Sequence, residues 1–220
     1  MSSDRVLVHY SGGLDSNLSA ARLALKNYEV YLVTYDNGLT IHPEVASLPA
    51  KLLKERFPNQ IVSHDIIPIY GLVKRVALNN IEEDFKNHKR NLICMACKLA
   101  MTTESIIYAK SHNIGLIADG YNKRQGEWPE QMPEAIEEVK KFLQSYGIEY
   151  MNNVYEKITK DSVKQELLDL GLIPKSIEGA CMIGGTFSLP TANEVVDYIR
   201  QKRPTLDDYL KNRLKDLYGV

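Results

Sequence analysis

A chain of 220 residues with 44% hydrophobic residues can bury one large core, or a core domain with a small appendage, and global disorder is excluded. The net charge of −1 excludes a polycation, so any nucleic-acid contact has to come from a local patch. There is no stretch of about 18 apolar residues and no charged-apolar-small leader, which points to a soluble, cytoplasmic protein without a membrane partner.

Arg5–Tyr10 is predicted to be the first strand, closing on Ser11-Gly12-Gly13-Leu14-Asp15-Ser16, with a helix over Ser16–Lys26. A strand, a glycine-hinged turn and a helix in that order build a phosphate cradle. The glycines let the backbone approach an anion closely. The N–H groups of the turn and helix start point at the anion, and the helix dipole favours its charge. The hydroxyls of Ser11 and Ser16 can add hydrogen bonds. Asp15 is repelled by bare phosphate and makes most sense beside a Mg²⁺ that bridges it to the phosphates. The Walker-type GxxxxGK[ST] pattern occurs nowhere, and no lysine sits in the turn.

Glu29–Tyr35 is a second apolar run, followed by a turn at Asp36-Asn37-Gly38. At that strand end Asp36 can contact adenine or ribose, or serve as a plain turn residue. Pro43–Arg56 reads as helix, with Pro43 suited to a first turn. Ile61–Ile67 is the third strand, and helices follow near Ile69–Asn79 and Met95–His112. Ile114–Ala118 is the fourth strand, ending in Asp119-Gly120. Pro133–Tyr146 is helical, and Ile148–Met151 is the fifth strand. This alternation predicts an α/β fold: a doubly wound, parallel, five-stranded sheet with helices on both faces. In such sheets the site lies beyond the carboxyl ends of the strands, where the phosphate turn, Asp36 and Asp119 all fall.

From Thr159 the pattern changes. Lys160–Leu170 and Thr191–Lys202 read as short helices, joined by the glycine-rich link Glu178–Thr186. Thr205–Leu217 is a charged amphipathic helix after Pro204. Residues 1–158 thus read as a nucleotide-binding domain, and 159–220 as a small helical C-terminal extension that carries Cys181.

The chain has three cysteines, two of them in Cys94-Met95-Ala96-Cys97. This pattern suggests metal or redox chemistry before a disulfide framework. Spacing i, i+3 at a helix start puts both thiols on one face. The helix N-terminus and Lys98 would lower their pKa and favour thiolate. Cys181 stands in a glycine-rich loop that can fold back over the same site. Three cysteines can hold a [4Fe–4S] cluster with one open iron. Zn²⁺ is the rival, with His88 as a fourth ligand. Persulfide or disulfide chemistry without metal is the third option.

SGGLDS after a strand resembles the signature of the PP-loop, or N-type ATP pyrophosphatase, superfamily. The resemblance implies an adenine nucleotide alpha hydrolase-like, Rossmann-like fold, cleavage of ATP between the α- and β-phosphates, and transfer of AMP to a substrate oxygen. It also places adenosine near Tyr35 and Asp36. The implied nucleotide site comprises Tyr10, Ser11, Gly12, Gly13, Leu14, Asp15, Ser16, Tyr35, Asp36, Asp119 and Gly120. With CxxC in mid-chain and a third cysteine downstream, the chain looks like the PP-loop tRNA thiouridine synthases. By that likeness AMP activates a uridine carbonyl and sulfur then displaces it, while Cys94, Cys97 and Cys181 hold the cluster or relay sulfur. Arg90-Asn91-Leu92-Ile93, Asp119-Gly120-Tyr121 and Trp128-Pro129-Glu130-Gln131-Met132-Pro133-Glu134 are similar to segments of 7-cyano-7-deazaguanine synthases. That likeness implies activation of a small-molecule carboxylate or deazapurine. The zinc-binding cysteine cluster of those enzymes has only Cys181 as a counterpart here.

Lys123 or Arg124 can neutralise the leaving pyrophosphate. Lys86/Lys89/Arg90 and Arg200/Lys202/Arg203 with Lys211, Arg213 and Lys215 are either phosphate contacts for tRNA or solvated faces. The expected partners are ATP, tRNA bound directly or through a partner subunit, a sulfur donor and a second copy of the chain. A nucleotide-binding sensor without turnover is the reading from a different class.

Overall fold

The computed structural model describes residues 5–156, 159–183 and 189–218. Its main sheet contains β1 (Arg5–His9), β2 (Glu29–Asp36), β4 (Ile61–Pro68), β5 (Leu116–Ala118) and β6 (Glu149–Met151) in the order β4-β2-β1-β5-β6. All four pairings are parallel. β1 lies at the centre and is buried on both faces at Val6, Leu7 and Val8. An unbroken apolar run is what a central parallel strand requires. The chain winds outward to β2 and β4, then crosses β1 to β5 and β6. The switch point therefore lies beyond β1 and β5, where such sheets take their ligands.

Two apolar layers flank the sheet. On one face α1 (Leu14–Leu25), α2 (Ser47–Arg56) and α7 (Lys160–Asp169) pack through Leu18, Leu23, Leu53, Val163 and Leu167. On the other lie α3 (Tyr70–Val73), which runs into a π-helical turn at Lys74–Leu78, then α4 (Ile81–His88), α5 (Ile93–Ser111), α6 (Pro133–Gln144) and α8 (Ala192–Tyr218). Leu99, Ile106, Phe142, Tyr198 and Leu210 join this second layer. The segment read as an appendage thus divides, with α7 on one face and α8 on the other. The boundary expected at residue 158, and residues 184–186 of the glycine-rich link, lie outside the described residues.

Several elements differ from expectation. The helix expected over Pro43–Arg56 is a 3₁₀ turn, Pro43–Ala46, followed by α2. Helix α4 was not anticipated. Neither was a second, two-stranded sheet, in which β3 (Thr40–Ile41) pairs antiparallel with β7 (Ala180–Cys181). Two-residue strands carry no readable period. Thr191–Lys202 and Thr205–Leu217 are not separate helices, because α8 runs through Pro204. An interior proline costs roughly 3 kcal/mol. Val195, Tyr198, Ile199, Leu206 and Leu210 are buried on α8, and each such side chain contributes about 1.5–3 kcal/mol. Packing therefore outweighs the proline.

Candidate functional site

A cavity of about 430 Å³ opens at the switch point. Its floor is the turn from Tyr10 to Asn17. Gly12 has φ +82°, and a Cβ there would lie 2.2 Å from the Ile177 carbonyl oxygen. Asn17 holds the turn in shape, because its amide donates to the Gly12 and Gly13 carbonyls, each at 3.0 Å. Tyr10 in turn donates to Asn17 Oδ1 at 2.6 Å. Gly13 N–H donates to Ser11 Oγ at 3.1 Å, and Ser16 Oγ donates to the Gly13 carbonyl at 3.1 Å. Helix α1 begins at Leu14, so its first N–H groups lack intrahelical partners at the cavity. Seven sequence-predicted residues thus divide in role: Tyr10 braces the turn from beneath, and Ser11 to Ser16 form it.

The opposite wall comes from the end of β5. A Cβ on Gly120 would lie 2.5 Å from Ser16 N, so only glycine lets the two loops meet. Asp119 is buried and accepts from Lys98 Nζ at 2.9 Å, Tyr150 at 2.8 Å and Asn152 at 2.8 Å. Lys98 Nζ also lies 3.2 Å from His9 Nδ1 and 4.2 Å from the Tyr121 ring centroid. Burial and the Lys98 charge hold the His9 pKa well below the ordinary histidine range. Tyr35 is buried and contacts Ser105 Oγ at 2.5 Å, and burial raises its pKa. His9, Lys98, Tyr150 and Asn152 formed no part of the sequence-predicted site. Lys98 alone carried a signal there, as the charge beside the CxxC.

Arg124, on the 3₁₀ turn Lys123–Gln125, meets Asp15 with Nη2 at 3.0 and 2.8 Å from its two oxygens. Asn122 donates to the same carboxylate at 2.9 Å. Burial raises the Asp15 pKa against the opposing effect of Arg124. Lys123, one of the two predicted cations, does not line the cavity and pairs with Glu156 at 3.7 Å. Arg124, the other predicted cation, lines the cavity together with Lys160. Asp36 accepts from Gly38 N–H at 2.9 Å through Oδ1, and its neighbour Asn37 lines the cavity.

Cys97 and Cys181 stand next to residues that line the cavity, without lining it themselves. Asn37 Nδ2 lies 3.3 Å from Cys97 Sγ. Cys181 pairs in register with Thr40, three residues beyond Asn37. The charge of Cys181 opposes ionisation of Cys97, so the glycine-rich link does fold back toward the CxxC. Cys94 is half-buried in the first turn of α5. The expected lowering of thiol pKa does not hold at Cys97, where burial pushes it up to about 11. Lys98 is committed to Asp119, which is why its charge helps so little. Among the described residues, no group of three or more His, Cys, Asp or Glu side chains could hold a metal ion. His88 is elsewhere, against Tyr198 and Gln201.

Four of the nine residues in the basic clusters form internal ion pairs. Lys202 is buried and bonds Asp84 at 2.7 and 2.5 Å. Arg90 pairs with Glu194, Arg200 with Glu138 and Arg203 with Asp207. No single helix among the described residues is long and apolar enough to cross a membrane.

No protein family's sequence profile matches the chain, and no curated protein matches it. Solved structures do. A 4-thiouridine synthetase, solved with RNA and bound ATP, superposes with a TM-score of 0.63 at 13% identity, over 96% of this chain and 53% of its own. This is the PP-loop fold. The NMN synthetase of Francisella tularensis shares it, with a TM-score of 0.56 at 14% identity, over 96% of this chain and 85% of that one. The chain described here spans about half the length of the 4-thiouridine synthetase chain. At these identities the likeness is one of fold, and the chemistry has to be argued from the residues.

Proposed function

We propose that the protein binds ATP in the cavity, adenylates a nucleobase carbonyl in tRNA, and replaces the activated oxygen with sulfur through Cys97 and Cys181. The observation that carries this reading is a cavity floored by the glycine turn whose lining residues Asn37 and Thr40 lead directly to two thiols, Cys97 at 3.3 Å from Asn37 and Cys181 paired in register with Thr40.

The cradle N–H groups, Ser11, Ser16, Arg124 and Lys160 face the phosphates. Tyr35 and Asn37, at the end of β2, face the nucleoside. Mg²⁺ needs few protein ligands and takes the rest from phosphate and water. Asp15, a partly exposed carboxylate on the cradle, fits that requirement and would hold it. The ion would supply charge neutralisation for departing pyrophosphate. In the first step the nucleobase oxygen attacks the α-phosphorus, and the bond to the pyrophosphate oxygen breaks. Preorganised donors stabilise the leaving charge. Arg124, held by the carboxylate of Asp15, is one such donor.

In the second step the terminal sulfur of a persulfide on one cysteine attacks the activated carbon, and AMP departs with the former carbonyl oxygen. The other thiolate then attacks the cysteine sulfur of the mixed disulfide. The thiocarbonyl is released and a Cys97–Cys181 disulfide remains. A persulfide-bearing protein supplies the sulfur, and a dithiol reductant restores the thiols.

The test is AMP and pyrophosphate release with unmodified tRNA and a persulfide donor. Cys97→Ser should release pyrophosphate yet form no thionucleoside. Full thiolation by that variant, or adenylation of small carboxylates with no response to tRNA, would reject the reading.

A further inference from the structure

Residues 176–182 cross the cavity mouth as a strap that touches both functional edges. At one end Ser11 Oγ donates to Glu178 Oε2 at 3.0 Å. The Glu178 carboxylate lies directly over the cradle, since a Cβ on Gly13 would meet its Oε2 at 2.6 Å. Ser176 Oγ donates to the other carboxylate oxygen at 2.6 Å, and Ile177 N–H donates to the Gly12 carbonyl at 3.1 Å. At the other end Cys181 pairs with Thr40, and Met182 N–H donates to the Leu39 carbonyl at 2.8 Å. The chain between is short and extended, and Gly179 packs with its Cα against Thr40 and the Ile41 carbonyl. A Cβ there would lie 2.6 Å from Thr40 Cγ2, so the strap is fitted to β3.

We propose that Glu178 is an internal anion competing with nucleotide phosphate for the cradle, and that its displacement shifts Cys181 relative to Cys97. Three observations meet here. A carboxylate accepts from Ser11 and stands over Gly13, on the turn itself. It stands close enough to Asp15 for its charge to add to the effect of burial in raising the Asp15 pKa. Two like charges beside one cradle leave no room for a third without movement or neutralisation. The strap is also the more exposed of the two elements: Glu178, Cys181 and Met182 are exposed, whereas the turn beneath is braced by buried Tyr10 and Asn17. Glu178 and Cys181 are three residues apart, so the strap cannot lift at one without displacing the other. Phosphate binding is thereby reported to the thiol that acts in the following step. This ordering keeps the thiols in their resting geometry until a nucleotide is present.

The inference rests on the nucleotide reading of the cradle, and the experiment separates the two. ATP binding by calorimetry, and the rate of Cys181 alkylation by iodoacetamide read by mass spectrometry, are measured on the full chain and on Glu178→Gln. Because Glu178 is exposed, the variant should fold. The expected results are ATP binding about tenfold tighter in the variant, and a Cys181 alkylation rate that ATP changes in the unaltered chain but not in the variant. Equal ATP affinity in both proteins, or a Cys181 rate indifferent to ATP in the unaltered chain, overturns the inference and leaves the nucleotide reading standing. Binding of ATP by neither protein overturns both.

Discussion

Two segments meet over the cavity, and they are held in opposite ways. The turn from Tyr10 to Asn17 is tied by buried side chains and leaves little freedom to its donors. The strap from Ser176 to Met182 lies on the surface and is held by a handful of contacts. The difference matches the two tasks proposed for them. Donors that stabilise a leaving charge act best when already oriented, because reorientation during the reaction would cost what they supply. A thiol that has to meet first a sulfur donor and then a partner thiol has to move.

The comparison can be broken at its rigid end first. Asp119→Ala should cost the most, about 3–5 kcal/mol, because it leaves Lys98 buried and unpaired. Tyr150 and Asn152 lose their acceptor with it. Chemical denaturation checks this, and a loss near zero would mean that the network beneath the cavity is not structural. Gly120→Ala should cost about 1–3 kcal/mol through overpacking and weaken ATP binding. Its Cβ would meet backbone atoms of Asp15 and Ser16, which cannot swing aside. Gly71→Ala is the control: nothing lies within 4 Å of a Cβ there. That helical position should be neutral, or gain up to about 1 kcal/mol.

A smaller effect comes from pH. Burial depresses the His9 pKa, so below the ordinary value near ~6.5 the unfolded chain takes up a proton that the folded chain refuses. His9 therefore contributes stability at neutral pH that is lost as pH falls. The slope is at most about 1.4 kcal/mol per pH unit. Asp15 and Glu130, raised by burial, act with the opposite sign, and His64 with the same sign. The difference between the unaltered chain and His9→Asn isolates the His9 share, and identical pH profiles would show that it has none. The smallest effect is expected at the exposed end. Lys123→Ala should change stability by no more than about 0.5 kcal/mol and leave ATP affinity unchanged, whereas Arg124→Ala should weaken it. The same titration calorimetry compares both.

Much of the site was legible because its elements are long and strongly patterned. The run Val6–Tyr10 and the double glycine at residues 12–13 mark a strand and a close backbone approach without any tertiary information. The Asp36-Asn37-Gly38 turn was equally plain. Lys123 and Arg124 are neighbours of like charge, and only the direction of a 3₁₀ turn decides which one reaches Asp15. His9 reads as an ordinary strand residue until Lys98 is placed against it from a helix far along the chain.

The sequence by itself determined the α/β alternation, the parallel sheet and the glycine turn that floors the cavity. These follow from local periodicity and from glycine's freedom to allow close backbone approach. Tertiary structure alone decided the rest: α8 continuing through Pro204, Arg90, Arg200, Lys202 and Arg203 paired with carboxylates, and Cys181 brought beside Thr40 near Cys97. The physical reason is the same in each case. A buried charge, a thiol pKa or a tolerated proline depends on what surrounds it, and those neighbours come from segments remote in the chain.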